Sequence, residues 1–338
     1  MRILYLSCHS VLEFDEMSLW TEMGHDVFSI GGAYTNPEGH PSLPRPGIKG
    51  ATFHQDLFEE SQKFARTDIP KEFFDKFDLI IVMHVPELVI QNWPRMKHKP
   101  VIWRSIGQSN PSIEGMLKSL RDEGLKIVRY SPKEKQLKEW IGADAMIRFY
   151  KDEDEWNGWV GANPRVINFT QSLKGRRYFC HYDDVLEMVA GFPSKIFGSG
   201  NEDLGNLNGG ELTYENQIGQ LRENRVMVYA GTWPACYTLS LMEAWMLGIP
   251  VVAVGKRLAE NLKCTHEHIE FYEVHEMISN GIDGFCSDNM GELRGYIQQL
   301  LDNYELAKKV GSAGRRKAID FFGKSKIKKE WEEFFTKI

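Results

Sequence analysis

The chain has 338 residues, 42% hydrophobic and 26% charged. Those are the proportions of an ordinary folded protein, so disorder is excluded and the length predicts two domains. Forty-one basic and 47 acidic side chains leave a net charge of −6, spread over both halves, with no general attraction for phosphate backbones or anionic lipid. The longest apolar run, around Leu247 to Val254, is interrupted by Gly248 and Pro250 and falls far short of a membrane span. Ile3 to Leu6 is too short for a signal-peptide core, which predicts a cytoplasmic protein without integral membrane association. Five widely spaced cysteines argue against both a disulfide framework and a zinc site.

Arg2 to Leu6 reads as a buried parallel strand, followed by a helix from about Leu12 to Met23 and a strand Val27 to Ile30 closed by Gly31 and Gly32. Further strands are expected at Phe77 to Met83, Pro100 to Trp103 and Leu125 to Tyr130. The acidic, Gly/Pro-marked stretch 151–164 suits an exposed linker. A second alternating series has strands at Arg165 to Phe169, Ser194 to Phe197, Val226 to Tyr229 and Val251 to Val254, and the chain from about Gly291 is helical. Strands alternating with helices mean parallel sheets covered on both faces, so the expected fold class is α/β with two doubly wound domains, which bind ligands at the carboxyl ends of their strands.

The segment Tyr229 to Gly255 carries most of the functional signal. A strand ends at Tyr229, a loop with Gly231 and Pro234 follows, and a helix opens near Thr238 and stops at Gly248. That helix is apolar all round except for Glu243. Two readings of Glu243 stand side by side. One is an ion pair with a neighbouring Lys or Arg. In the other, the N–H groups of Tyr237, Thr238 and Leu239 hold a diphosphate and Glu243 accepts hydrogen bonds from the ribose.

With these residues in view, the sequence resembles the family-4-like glycosyltransferases of the GT-B fold. The resemblance extends to Met1–Leu6, Glu22-Met-Gly-His-Asp-Val27, Phe77-Asp-Leu-Ile-Ile81 and Lys126-Ile-Val-Arg-Tyr-Ser131 in the first half. In the second it covers Ile278-Ser-Asn-Gly-Ile-Asp-Gly-Phe285 and Gly311-Ser-Ala-Gly-Arg-Arg-Lys-Ala318. It implies two Rossmann-like domains facing a central cleft: an acceptor-side domain 1–160, a nucleotide-sugar domain 165–322, and a helix 323–338 returning to the first. It also implies a retaining, metal-independent hexosyl- or pentosyltransferase using a UDP- or GDP-linked sugar, with no other cofactor and an unidentified acceptor. Glu243 matches the family's ribose-binding glutamate. Ala235 falls where the family has the first of its two glutamates, the one on the donor sugar, which implies a sugar held by backbone groups of Pro234 to Tyr237 or lacking those hydroxyls; the alternative is drift around an unchanged pocket.

Lys174, Arg176 and Arg177 correspond loosely to the family's diphosphate clamp, and the alternative is a solvated cluster. Gly198-Ser-Gly200-Asn201 lacks the third glycine of a dinucleotide fingerprint, which disfavours a dehydrogenase, and Gly198 and Gly200 are expected near the nucleotide base. Catalytic candidates are His9 and His84, each directly after a first-domain strand, and Arg104, which opens Arg104-Ser-Ile-Gly-Gln-Ser109 where the family often has His-Gly. His266, His268 and Cys264 lack further ligand candidates and are not read as a metal site. Arg315 to Lys329 holds seven basic residues against one acidic, an ordinary solvated face or a guide for an anionic acceptor. Two other functions stay open: a phage-type DNA glycosyltransferase acting on a modified base, and a nucleotide-sugar-binding protein without catalysis.

Overall fold

The computed structural model describes residues 1–31, 48, 50–52, 54–260 and 271–338. Gly32, Cys264, His266 and His268 lie outside the described residues. The chain forms two compact units, Met1–Tyr150 with Lys324–Ile338, and Lys151–Gly323. The stretch 151–164 belongs to the second unit. Trp156 within it is fully buried, and Lys151 pairs with Gly323 in a parallel bridge, its N–H donating to the Phe322 carbonyl at 3.0 Å.

The first unit holds a parallel sheet of β1 (Arg2–Leu6), β2 (Asp26–Ser29), β3 (Leu79–Met83), β4 (Val101–Arg104), β5 (Lys126–Arg129) and β6 (Ala145–Met146), ordered β2-β1-β3-β4-β5-β6. The order reverses between β1 and β3. Every residue of β3 is buried, as helices on both faces require of an apolar run without alternation. The helix Lys324–Phe335 completes this unit's core: Trp331 packs edge-on against Trp20 at 5.2 Å, and Lys324 and Lys328 both pair with Glu22.

The second unit holds β7 (Asn163–Phe169), β8 (Ser194–Phe197), β9 (Asn208–Gly210), β10 (Asn224–Tyr229), β11 (Val251–Val254) and β12 (Phe285–Ser287), ordered β12-β11-β10-β7-β8-β9 and parallel throughout. Counted within the unit, this is the 3-2-1-4-5-6 order of doubly wound nucleotide-binding sheets, with its switch point between β7 and β10. The helix Leu239–Leu247 follows β10, capped by Gly248 at φ 96°, and packs against the helix Tyr304–Phe322. They approach so closely at Gly311 that a Cβ there would run into the Gly248 carbonyl.

Candidate functional site

The switch point of the second unit places two loops side by side, one after β7 and one after β10. At the end of β10 the buried Tyr229 hydroxyl accepts the Thr238 N–H at 3.0 Å and the Thr238 hydroxyl at 3.2 Å, and burial raises its pKa above the ordinary tyrosine range. Tyr229 therefore fixes the entry of the helix Leu239–Leu247. Of the N–H groups expected to face a diphosphate, that of Thr238 is already engaged. That of Leu239 has no helical partner, as in the first turn of any helix, and the same holds for Ser240, which the sequence reading did not include. Tyr237 is buried, with its ring 5.2 Å from Phe322.

Glu243 lies one turn into the same helix, 4% exposed. The Lys151 ammonium sits 2.8 Å from Oε1, and Gln217 Nε2 donates to Oε2 at 2.6 Å. Lys151 is 1% exposed and stands 5.1 Å from the Trp156 ring centre. Of the two sequence readings, the ion pair is thus present, and each carboxylate oxygen keeps one lone pair beyond its protein partner.

Opposite, the loop after β7 is moulded onto the loop after β8. Ser172, at φ 46°, donates its N–H to the Ser199 carbonyl at 2.7 Å, and a Cβ on Gly198 (φ 129°) would meet the Thr170 carbonyl at 2.8 Å. Gly198 and Gly200 thus serve a close backbone approach. Lys174 pairs with Asp203 at 3.2 Å, and Arg177 makes a bidentate pair with Asp183. Arg176 is exposed and, among the described residues, carries no ion pair, so it is the cation of the three most available to a ligand. The loop ends at His181, 4% exposed, in left-handed conformation (φ 55°, ψ 45°). Its Nδ1 is 3.2 Å from Asp184 Oδ2. His181 lines a narrow cleft with Ala230, Trp233, Pro234, Ala235 and Tyr272.

In the first unit, His9 and His84 follow the adjacent strands β1 and β3, at that sheet's switch point. His9 caps the helix Ser10–Glu22, its Nδ1 accepting the Leu12 N–H at 3.5 Å. His84 adopts φ 60° and is held there by its neighbours: its N–H donates to the Arg104 carbonyl at 2.9 Å and its carbonyl accepts Trp103 Nε1–H at 3.0 Å. Nδ1 of His84 is buried without a hydrogen-bond partner, and burial lowers the imidazole pKa against the opposing influence of Glu87. Arg104 differs from the expectation of a catalytic cation. It is fully buried, its guanidinium 2.9 Å from Glu16 Oε1 and donating to the carbonyls of Arg129 and Ile147, because the last side chain of β4 turns into the core. Its backbone carbonyl, not its charge, is what bears on His84.

The basic segment Arg315 to Lys329 is largely neutralised. Arg315 turns inward onto the carbonyls of Trp156, Met246 and Glu153, and Lys317 pairs with Asp283. Beyond the two lysines on Glu22, Lys326 and Lys329 have i,i+4 glutamates. The sequence reading missed two residues here. Lys151 lies far from Glu243 in sequence and carried no signal. His181, preceding a helix with Asp184 three positions on, offered a detectable His/Asp pairing.

No family model and no curated protein sequence matches the chain. Solved structures do. A glycosyltransferase from Rickettsia africae aligns with a TM-score of 0.66 at 15% identity, over 99% of this chain and 98% of that one. Anabaena HepE, solved with UDP, aligns at 0.65 and 12% over the whole of both chains. An α-glucosyltransferase in complex with UDP and DNA containing an HMU base aligns at 0.63 and 14% over 99% of each. The chain has the two-domain Rossmann-like GT-B fold of these glycosyltransferases.

Proposed function

We propose that the protein is a glycosyltransferase that moves a hexosyl or pentosyl group from a uridine-linked nucleotide sugar to an acceptor hydroxyl, with retention and without a metal ion. The bond from the sugar's anomeric carbon to the diphosphate breaks, the bond to the acceptor oxygen forms as that hydroxyl's proton passes to a base, and UDP leaves with the negative charge. The observation that carries the reading is the built crevice at the β7/β10 switch point, where the opening of the helix Leu239–Leu247 and the unpaired Arg176 suit a diphosphate. HepE and the α-glucosyltransferase, both solved with UDP, support a uridine donor. His84, uncharged near neutrality, is the proposed acceptor-side catalytic group of the first unit.

Binding of UDP and GDP, followed by thermal shift, tests the donor site. UDP at 100 times its dissociation constant is expected to stabilise by about 2.7 kcal/mol. Replacing Arg176 by Ala should weaken UDP about tenfold and leave the fold intact, since loss of one charge-assisted hydrogen bond costs about 1.5–3 kcal/mol. No stabilisation by either nucleotide would refute the reading. Release of free sugar and UDP without an acceptor would exclude a binding protein that lacks catalysis.

A further inference from the structure

Among the polar groups of the donor crevice, a buried histidine is left without a task by the diphosphate reading. His181 has a side chain only 2% exposed, sits in a left-handed backbone conformation that side chains other than Asn, Asp and His seldom adopt, and faces a cleft lined also by Ala230, Thr232, Trp233, Pro234, Ala235 and Glu260. Its Nδ1 is held by Asp184, itself 29% exposed. A carboxylate accepting from Nδ1–H fixes the tautomer in which Nε2 is a hydrogen-bond acceptor. Among the described residues no hydrogen bond reaches Nε2. The His181 side chain is buried while its second ring nitrogen makes no hydrogen bond to the described residues, so that nitrogen is available to a ligand hydroxyl in the cleft.

Position decides which part of a ligand that is. Ala235 lies three residues before Thr238, so its Cα is at most ~11 Å from the start of the helix proposed to hold the diphosphate. The group next to the diphosphate in a nucleotide sugar is the sugar itself. The methyl of Ala235 can offer that sugar no hydrogen bond, whereas His181 on the same cleft can.

We propose that His181 is a specificity-determining residue for the transferred sugar, its Nε2 accepting a hydrogen bond from a ring hydroxyl, with Asp184 as the positioning residue that sets its tautomer. The proposal rests on the donor-site reading above. Its test is calorimetry with UDP, UDP-glucose, UDP-galactose, UDP-N-acetylglucosamine and UDP-xylose on the whole chain. The wild type should bind at least one of these sugars about tenfold differently from UDP alone. His181→Asn, which suits the left-handed backbone, should keep UDP affinity within about twofold and lose most of that tenfold difference, the factor one hydrogen bond of ~1.4 kcal/mol represents. Asp184→Asn should lose about a third of the effect in free energy while His181 stays in place.

A His181→Asn variant that keeps the full sugar discrimination overturns the proposal. So does one that loses UDP and UDP-sugar affinity by the same factor, which would make His181 a structural support. A wild type that binds UDP but distinguishes no sugar overturns it too. Failure of the wild type to bind UDP at all refutes the donor site first, and this inference with it.

Discussion

At Glu243 the carboxylate has two protein partners before any ligand arrives, and this changes what a substitution there reports. Lys151→Met strands a buried carboxylate, and breaking one side of a buried pair typically costs about 3–5 kcal/mol. Urea unfolding should show a loss of that size, and the double variant Lys151→Met/Glu243→Leu should recover most of it. A single variant within about 1 kcal/mol of wild type would mean that the pair is solvated. Glu243→Gln, the natural probe of ribose binding, also leaves the Lys151 ammonium buried beside a neutral amide. Its effect on nucleotide affinity is interpretable only beside its effect on stability. His84 makes a separate prediction. Burial lowers its pKa below 6.5, so the folded protein resists protonation that the unfolded chain accepts. The stability it contributes is present above pH 6.5 and is lost as pH falls toward the lower, folded value. The acid limb of the rate profile should accordingly lie below pH 6.5 and disappear, with a 10²- to 10⁴-fold loss of turnover, in His84→Asn. An acid limb unchanged in that variant would remove His84 from the chemistry.

The elements themselves were largely legible before the structure, for a physical reason. Strands buried on both faces, such as β1 and β11, are almost unbroken apolar or β-branched runs followed by small residues, and their ends fall where the sequence puts them. The strands not foreseen, β6, β9 and β12, have two or three residues each and no run to detect, Asn208-Gly-Gly210 least of all. They exist because a neighbouring strand supplies the partner, which is tertiary information. The site divided along the same line. Loops at strand ends could be named from the pattern, but the inward turn of Arg104 and the pairing of Glu243 with Lys151 depend on residues distant in sequence. The helix Leu239–Leu247 is fixed at one end by Tyr229 and at the other by the contact of Gly248 with Gly311. Gly311→Ala should push the helices apart at a cost of about 1–3 kcal/mol, as overpacking does, and weaken UDP binding measurably. Unchanged stability would mean that the contact yields without cost.

Over the whole molecule, charge is arranged for neutrality rather than for attraction. The net charge is −6, and ion pairs absorb the lysines of the last helix. Turnover is therefore expected to change little with salt. A fall of about 10³-fold in acceptor affinity between roughly 50 and 200 mM salt would instead identify a DNA acceptor, as several phosphate contacts would be lost together. Activity should also survive excess EDTA. Its abolition by EDTA, with restoration by a divalent ion, would overturn the proposal that protein groups alone neutralise the leaving diphosphate.

One unit of this protein is continuous in the chain and the other is not, and synthesis makes that difference into a sequence of events. Lys151–Gly323 has all its strands once Gly323 has left the ribosome, whereas the unit of Met1–Tyr150 waits for Lys324–Ile338. Until then the face of Trp20 that Trp331 covers is open to water, and Glu22 lacks both of its lysines. The surroundings of Trp20 are thus made before the second unit but finished after it, and an apolar surface stays exposed for as long as the intervening 173 residues take to appear, an interval of roughly 9–35 s at typical elongation rates. Shortening the chain before Trp331 should leave that surface open permanently, and the product should aggregate even though its second unit is intact.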